Sequence, residues 1–169
     1  ICQSAQFVKL WMHSVAYRRE IFSKIDYTQT EGISYTDQEW IYLPLTRVRT
    51  AYYIPVSLYY YVLGREGQTM SPEFMEKHFE DHIVCLNKLL AWYTQMPDDV
   101  ALSVRRMLYQ RLHWLALLIY KKSLITMSRG RIPDYMQSFD SHIGKVLPKL
   151  HYDLGKEWLS LPMLPFRYI

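Results

Sequence analysis

Apolar positions change their spacing along this chain, and each change marks a predicted change of structure. After an apolar opening (Phe7, Val8, Leu10, Trp11, Met12), Tyr17, Ile21 and Ile25 recur every fourth residue, which predicts a short amphipathic helix over 17–25. A polar loop, 26–32, leads to Ile33 and Tyr35, a brief β-compatible alternation. Trp40, Ile41, Leu43, Leu45 and Val48 then return to helical spacing, predicting a helix from Asp37 to about Arg49 with a bend at Pro44. Residues 51–54 and 56–63 are rich in Tyr, Ile and Val and read as two short β segments joined at Pro55, at least one of them an edge.

From Ser71 onward the pattern is helical. Met75, Phe79, Ile83, Leu86, Leu90 and Tyr93 form one stripe, stopped by Pro97. Asp98 is the expected cap of a second helix carrying Leu102, Tyr109, Leu112, Leu115, Ala116 and Ile119, closed at Gly130. Tyr135, Phe139, Ile143, Val146 and Leu150 predict a third helix from Pro133, and 159–169 an extended tail. The run 114–120 is apolar nearly all round, which calls for a central place in a bundle or a homodimer contact. The fold class is therefore mainly α (α+β). It divides into 1–70, with a short β segment, and 71–169, a C-terminal helical bundle.

Composition narrows the class. A chain of 169 residues buries roughly two-thirds of its unfolded surface, enough for one sizeable core. Half the residues are hydrophobic and 21% charged, which excludes a disordered chain. Twenty basic and 16 acidic residues leave +4, interspersed rather than clustered, so nucleic acid is not an expected partner. Cys2 and Cys85 are too few for a disulfide framework. The sequence opens at Ile1 without a signal pattern, and its longest apolar run falls far short of the roughly 20 residues of a spanning helix. The expectation is part of a cytoplasmic protein. Lys121 and Lys122 offer either peripheral contact with a membrane surface or a solvated helix end.

The chemistry concentrates at 32–40. Thr36 followed three residues later by Glu39 spells a capping box, in which each side chain serves the other's backbone N–H. Asp37 then projects from the first turn, where the positive dipole end favours a carboxylate. On spacing alone the plainer reading, a well-capped helix start with Asp37 as a dipole partner, is the favoured one. His78, His82 and Cys85 lie one turn apart, but no further ligand has recognisable spacing, and Asp37 and Glu39 do not face one another on a helix. No metal site is expected within the chain. It has no D-x-D, no phosphate-binding glycine loop of either common type, and no Ser/His/Asp set recognisable by motif.

Four pieces follow in a particular order: Gly-Ile-Ser-Tyr-Thr-Asp-Gln-Glu-Trp at 32–40, Ala-Tyr-Tyr-Ile-Pro at 51–55, Ser-Leu-Tyr-Tyr-Tyr at 57–61, and Gly-Arg-Glu-Gly-Gln-Thr-Met-Ser at 64–71. Together they resemble the C-terminal part of bacterial family 2 glycosyltransferases of the GT-A fold, of the polysaccharide-biosynthesis type. The resemblance implies that 1–70 is the acceptor side of the catalytic domain and that Asp37 is the catalytic base. Thr36 replaces the more usual acidic neighbour. It also implies that Arg65, Gln68 and Ser71 bind the donor diphosphate, and that Tyr35, Trp40 and His13 face the acceptor. Ser71 reads equally as a helix cap, Trp40 as core, and His13 as a packing residue.

The partners implied are a nucleotide-sugar donor and a glycan or lipid-linked acceptor. The cofactor implied is a divalent ion, Mg or Mn, with ligands mostly outside this chain. The nucleotide-binding half is missing, so this stretch is expected to be inactive alone. The competing class is a helical interaction or dimerisation module without catalytic role.

Overall fold

The computed structural model describes residues 10–62, 71–127 and 134–157. Among these the chain is mainly α. Its helices are α1 (Arg19–Phe22), α2 (Asp37–Tyr42), α3 (Pro72–Lys77), α4 (Asp81–Thr94), α5 (Leu102–Met127), α6 (Asp134–Val146) and α7 (Pro148–Leu154), with 3-10 turns at Met12–Ser14 and Pro44–Arg47.

Helix α5 is the spine. Its 26 residues span about 39 Å. Val104, Met107, Leu108, Leu112, Leu115, Ala116, Ile119 and Tyr120 are buried along it. Helices α4 and α7 pack against it, and α6 packs on α7 and α4. The expectation of a central position for 114–120 holds for Leu115, Ala116, Ile119 and Tyr120, whereas Trp114 is 50% exposed. Leu117 is partly buried against the same core. Burying one such leucine contributes roughly 1.5–3 kcal/mol relative to leaving it in water, so this helix supplies much of the driving force.

Proline and local hydrogen bonds set the breaks that periodicity alone did not place. Ser71 accepts from the Phe74 N–H at 3.2 Å with Pro72 at the first helical position, as the sequence predicts. The stripe from Met75 to Tyr93 is divided between α3 and α4 by a turn at 78–80. Helix α5 starts at Leu102 rather than at Asp98, whose carboxylate lies beside Arg105 at 3.9 Å. The third stripe breaks at Leu147, in a non-helical conformation (φ −142°, ψ 76°), because Pro148 disfavours a helical residue before it and opens α7 instead. Pro44 differs: Leu43 before it keeps helical angles (φ −66°, ψ −44°), α2 ends at Tyr42 and the chain continues as a 3-10 turn with Pro44 in its first position. Helix α1 keeps only four residues of the expected 17–25, since Arg18 is extended and the Ser23 hydroxyl donates back to the Glu20 carbonyl. Gly130, Pro133 and the tail lie outside the described residues.

The two β segments are not strands. Residues 51–62 are exposed and belong to no helix, and there is no strand among the described residues. The Val56 N–H turns back to the Ile54 carbonyl at 2.9 Å. A strand needs a neighbour's donors and acceptors, and the helices on either side have theirs committed internally. Helix α2 and the residue that follows it, by contrast, contribute Ile41, Tyr42 and Leu43 to the same core as α4 and α5.

Candidate functional site

Helix α2 is short and enclosed: Gln38, Glu39, Ile41 and Tyr42 are all buried. A charged residue in such a helix must find a partner. The reciprocal cap expected of Thr36 and Glu39 is not formed. Thr36 itself has near-helical angles, and its hydroxyl accepts from Gln29 Nε2 at 2.8 Å. Glu39, fully buried, turns away to accept from the Thr30 N–H at 3.0 Å and from Lys88 Nζ on α4 at 2.6 Å. A full positive charge holds a carboxylate more strongly than a neutral N–H, which is why the box loses. Lys88 also donates to Thr30 Oγ1 at 3.0 Å and to the Thr28 carbonyl, closing loop 26–32 over α2. Glu39 is thus a structural acid.

Asp37 is different. It stands in the first turn of α2, half-buried, with Oδ2 accepting from Gln38 Nε2 at 3.0 Å. The other end of the Gln38 carboxamide accepts from Arg111 Nε of α5 at 2.6 Å. One buried amide therefore links the acid to the guanidinium. The Arg111 guanidinium carbon lies 4.2 Å from the centre of the Trp114 ring and 5.5 Å from that of Tyr42. Burial pushes the Asp37 carboxyl up from its ordinary value, while the Arg111 charge and hydrogen bonds from Gln38 and its own backbone work against that. Burial pulls Arg111 down, with Tyr42 and Asp37 opposing. The pair is close enough to feel each other and does not form a salt bridge among the described residues.

Tyr35 completes this face. It has φ +65°, a left-handed conformation that non-glycine residues rarely adopt, and its ring stacks on His82 of α4 at 3.9 Å. Burial, followed by the Asp81 and Asp37 charges, raises its hydroxyl. Burial and then the Arg111 charge lower His82 to about 4, so it is neutral near pH 7, and its Nδ1 is buried without a hydrogen-bond partner among the described residues. Asp81 Oδ2 accepts from the Ser34 N–H at 2.8 Å and pairs with His78 Nδ1 at 3.1 Å, and the Cys85 thiol lies 3.7 Å from the Ser34 carbonyl. Burial pushes that thiol up to about 12, which leaves it a small buried apolar group rather than a nucleophile. His78, His82 and Cys85 thus each have separate surroundings, and no group of three His, Cys, Asp or Glu suited to a metal ion occurs among the described residues.

The remaining expected site residues are dispersed. Trp40 is packed, stacked on Phe22 at 5.1 Å and edge-on to Tyr17 at 5.6 Å. His13 sits on the exposed turn Met12–Ser14, against Tyr59 at 4.2 Å. The Ser71 hydroxyl caps α3. Arg65 and Gln68 lie outside the described residues. Sequence reading missed Gln38, Lys88 and Arg111. Arg111 had a signal: it falls between Leu108 and Leu115 on an apolar stripe, where an arginine demands an acceptor.

A second polar cluster ties α5, α6 and α7. Asp140, 4% exposed, accepts from the Tyr120 hydroxyl and pairs with His151 Nε2 at 2.9 Å. It borders an open groove lined also by Gln137, Ser138, Ser141 and Lys145. No family profile, curated protein or solved structure matches this chain at a significant level.

Proposed function

We propose that this chain is the acceptor side and helical C-terminal part of an inverting, family 2-like glycosyltransferase of the GT-A type. In this reading a sugar passes from a nucleotide diphosphate sugar to an acceptor hydroxyl in cell-surface polysaccharide synthesis, at the cytoplasmic side of a membrane. The observation that carries the reading is the state of Asp37. Its carboxyl is half-buried and pushed up by burial, which strengthens it as a base, while the Arg111 charge and Gln38 oppose that rise and the Gln38 amide holds one of its oxygens. Asp37 would take the acceptor proton as that oxygen attacks the anomeric carbon. The exposed segment 51–62 would find its ladder partner on the sheet of the nucleotide-binding half.

The divalent ion implied by the resemblance does not fit the described residues: Glu39 is taken by Lys88, Asp81 by Ser34 and His78, and Asp140 by Tyr120 and His151. No step is routed through it, and its ligands belong in this reading to the nucleotide half. Arg65 and Gln68 remain the proposed donor contacts, with the Ser71 hydroxyl, already a cap acceptor, still able to donate.

The test is Asp37→Asn in an enzyme that includes the nucleotide half. Turnover should fall about 10²–10⁴-fold with donor affinity unchanged, and wild-type turnover would remove Asp37 as the base. A second reading, a helical interaction module, is favoured by one observation: Tyr52, Tyr53, Leu58 and Tyr60 are each more than three-quarters exposed. Sedimentation of this chain, alone and as Leu117→Glu, separates a self-associating module from a monomer. A monomer unaffected by the substitution at high concentration rules out dimerisation through α5.

A further inference from the structure

The Asp37 site has a cation whose donors are unspent. Arg111 uses Nε on Gln38, and its other N–H groups have no hydrogen-bond partner among the described residues. Arg111 is partly rather than fully buried, and among the described residues no Arg111 nitrogen is one of the fully buried polar atoms without a partner. A guanidinium held by one nitrogen presents the rest of its fork in a fixed plane, the geometry that takes two oxygens of a carboxylate or phosphate. Gln38, 8% exposed, fixes that plane from one side, and Trp114, stacked on it at 4.2 Å and half exposed, fixes it from the other. Asp37 lies one carboxamide away on the same side chain of Gln38. An acid that accepts a proton and a fork that accepts an oxyanion are thus set at a short fixed spacing beside an accessible indole.

We propose that Asp37, Gln38, Arg111 and Trp114 form an acceptor subsite for a sugar that carries an oxyanion close to its reactive hydroxyl. Asp37 takes the hydroxyl, Arg111 takes the oxyanion, and the Trp114 indole lies against the sugar ring. This rests on the reading of Asp37 as the acceptor's base. The assignment moves the aromatic platform from Trp40, which is enclosed by Phe22 and Tyr17, to Trp114. The oxyanion is a carboxylate on the sugar ring or a phosphate ester, and the chemistry of the fork is the same for both.

The experiment is an NMR titration of this chain with sodium glucuronate, glucose 6-phosphate and glucose, following the Arg111 Nε–H and Trp114 indole N–H signals. Saturable movement of both signals by at least one anionic sugar, with none from glucose, is the expected result. The anion that acts identifies the source as carboxylate or phosphate. Arg111→Gln should weaken that binding at least about tenfold, the worth of one charge-assisted hydrogen bond. Arg111→Lys, which keeps the charge and loses the fork, should weaken it less, and serves if the first variant does not fold. Equal movement with glucose, no movement with either anion, or binding indifferent to Arg111→Gln and Arg111→Lys each overturns the subsite. Failure of the base is read separately, as retained turnover in Asp37→Asn while the wild-type chain shows this binding.

Discussion

Asp37 and Asp140 are acids on helices of the same bundle, and the protein treats them in opposite ways. Asp140 has both oxygens engaged by side chains of other helices, the Tyr120 hydroxyl from α5 and His151 from α7. Asp37 has one oxygen on its sequence neighbour Gln38, and its nearest cation stands off by the width of an amide. The first arrangement spends a carboxylate on holding three helices together. The second carries a desolvation cost that outweighs its bonds to the Gln38 side chain and the local backbone, and groups perturbed in this way cluster at functional sites. Glu39, two residues from Asp37, lies between the two: Lys88 on its Oε2 closes a loop over α2, while its Oε1 is buried without a hydrogen-bond partner among the described residues.

The same substitution at both positions is the sharpest way to break this comparison, and it has the largest expected effect. Asp140→Asn removes one acceptor from the Tyr120–His151 pair in a buried place, which should cost about 1–3 kcal/mol in urea unfolding. Asp37→Asn removes a charge that burial already penalises, so its stability should be unchanged within about 0.5 kcal/mol or should increase. A loss at Asp37 as large as that at Asp140 would mean that both acids are structural.

Acid titration gives the next effect. His82 is held at about 4 in the fold against 6.5 unfolded, so between those values the unfolded chain binds a proton that the folded one does not. Its contribution must therefore lower stability as pH falls from about 6.5 to 4, with no further change from this group below that. Asp37, raised in the fold, acts in the reverse direction over the window just above the ordinary carboxylate value. His82→Phe should flatten the loss between pH 6.5 and 4 while leaving acid unfolding at lower pH, where Asp153 titrates at about 2, in place. An unchanged profile would show that His82 protonates freely and that its stacking under Tyr35 is not tight.

Much of the helical scaffold was legible because its stripes are long. The buried face of α5 was readable from Leu112, Leu115 and Ile119, and Ser71–Pro72 marked the start of α3. Breaks were less legible: Pro148 was visible, yet the stripe through Val146 and Leu150 reads straight across it. Segment 51–62 misled in a different way. Tyr, Ile and Val describe what a strand surface wants, not whether a neighbour exists to pair with it. At the site, local spacing favoured a Thr36–Glu39 box, and Lys88, 49 residues away from Glu39, overruled it. The Gln38–Arg111 contact spans 73 residues, beyond the reach of any local pattern.

Tyr35 carries a small expected change in stability and the most specific reading of the comparison. Its φ of +65° costs a non-glycine residue about 1–2 kcal/mol, while its ring stack on His82 returns about 0.5–1.5 kcal/mol. Tyr35→Gly removes both, so global stability should move by less than about 1 kcal/mol. His82 should respond far more. Without the ring above it, water reaches the imidazole, the desolvation that lowers its titration weakens, and its midpoint should rise toward 6.5, read directly from its Cε1–H signal by NMR. Tyr35→Ala separates the two contributions, since it loses the stack and keeps the strain, and should be less stable than Tyr35→Gly. If the midpoint of His82 stays near 4 in both variants, the Arg111 charge rather than the Tyr35 cover holds it down. The strained residue would then have no part in keeping water from the face that Asp37 shares.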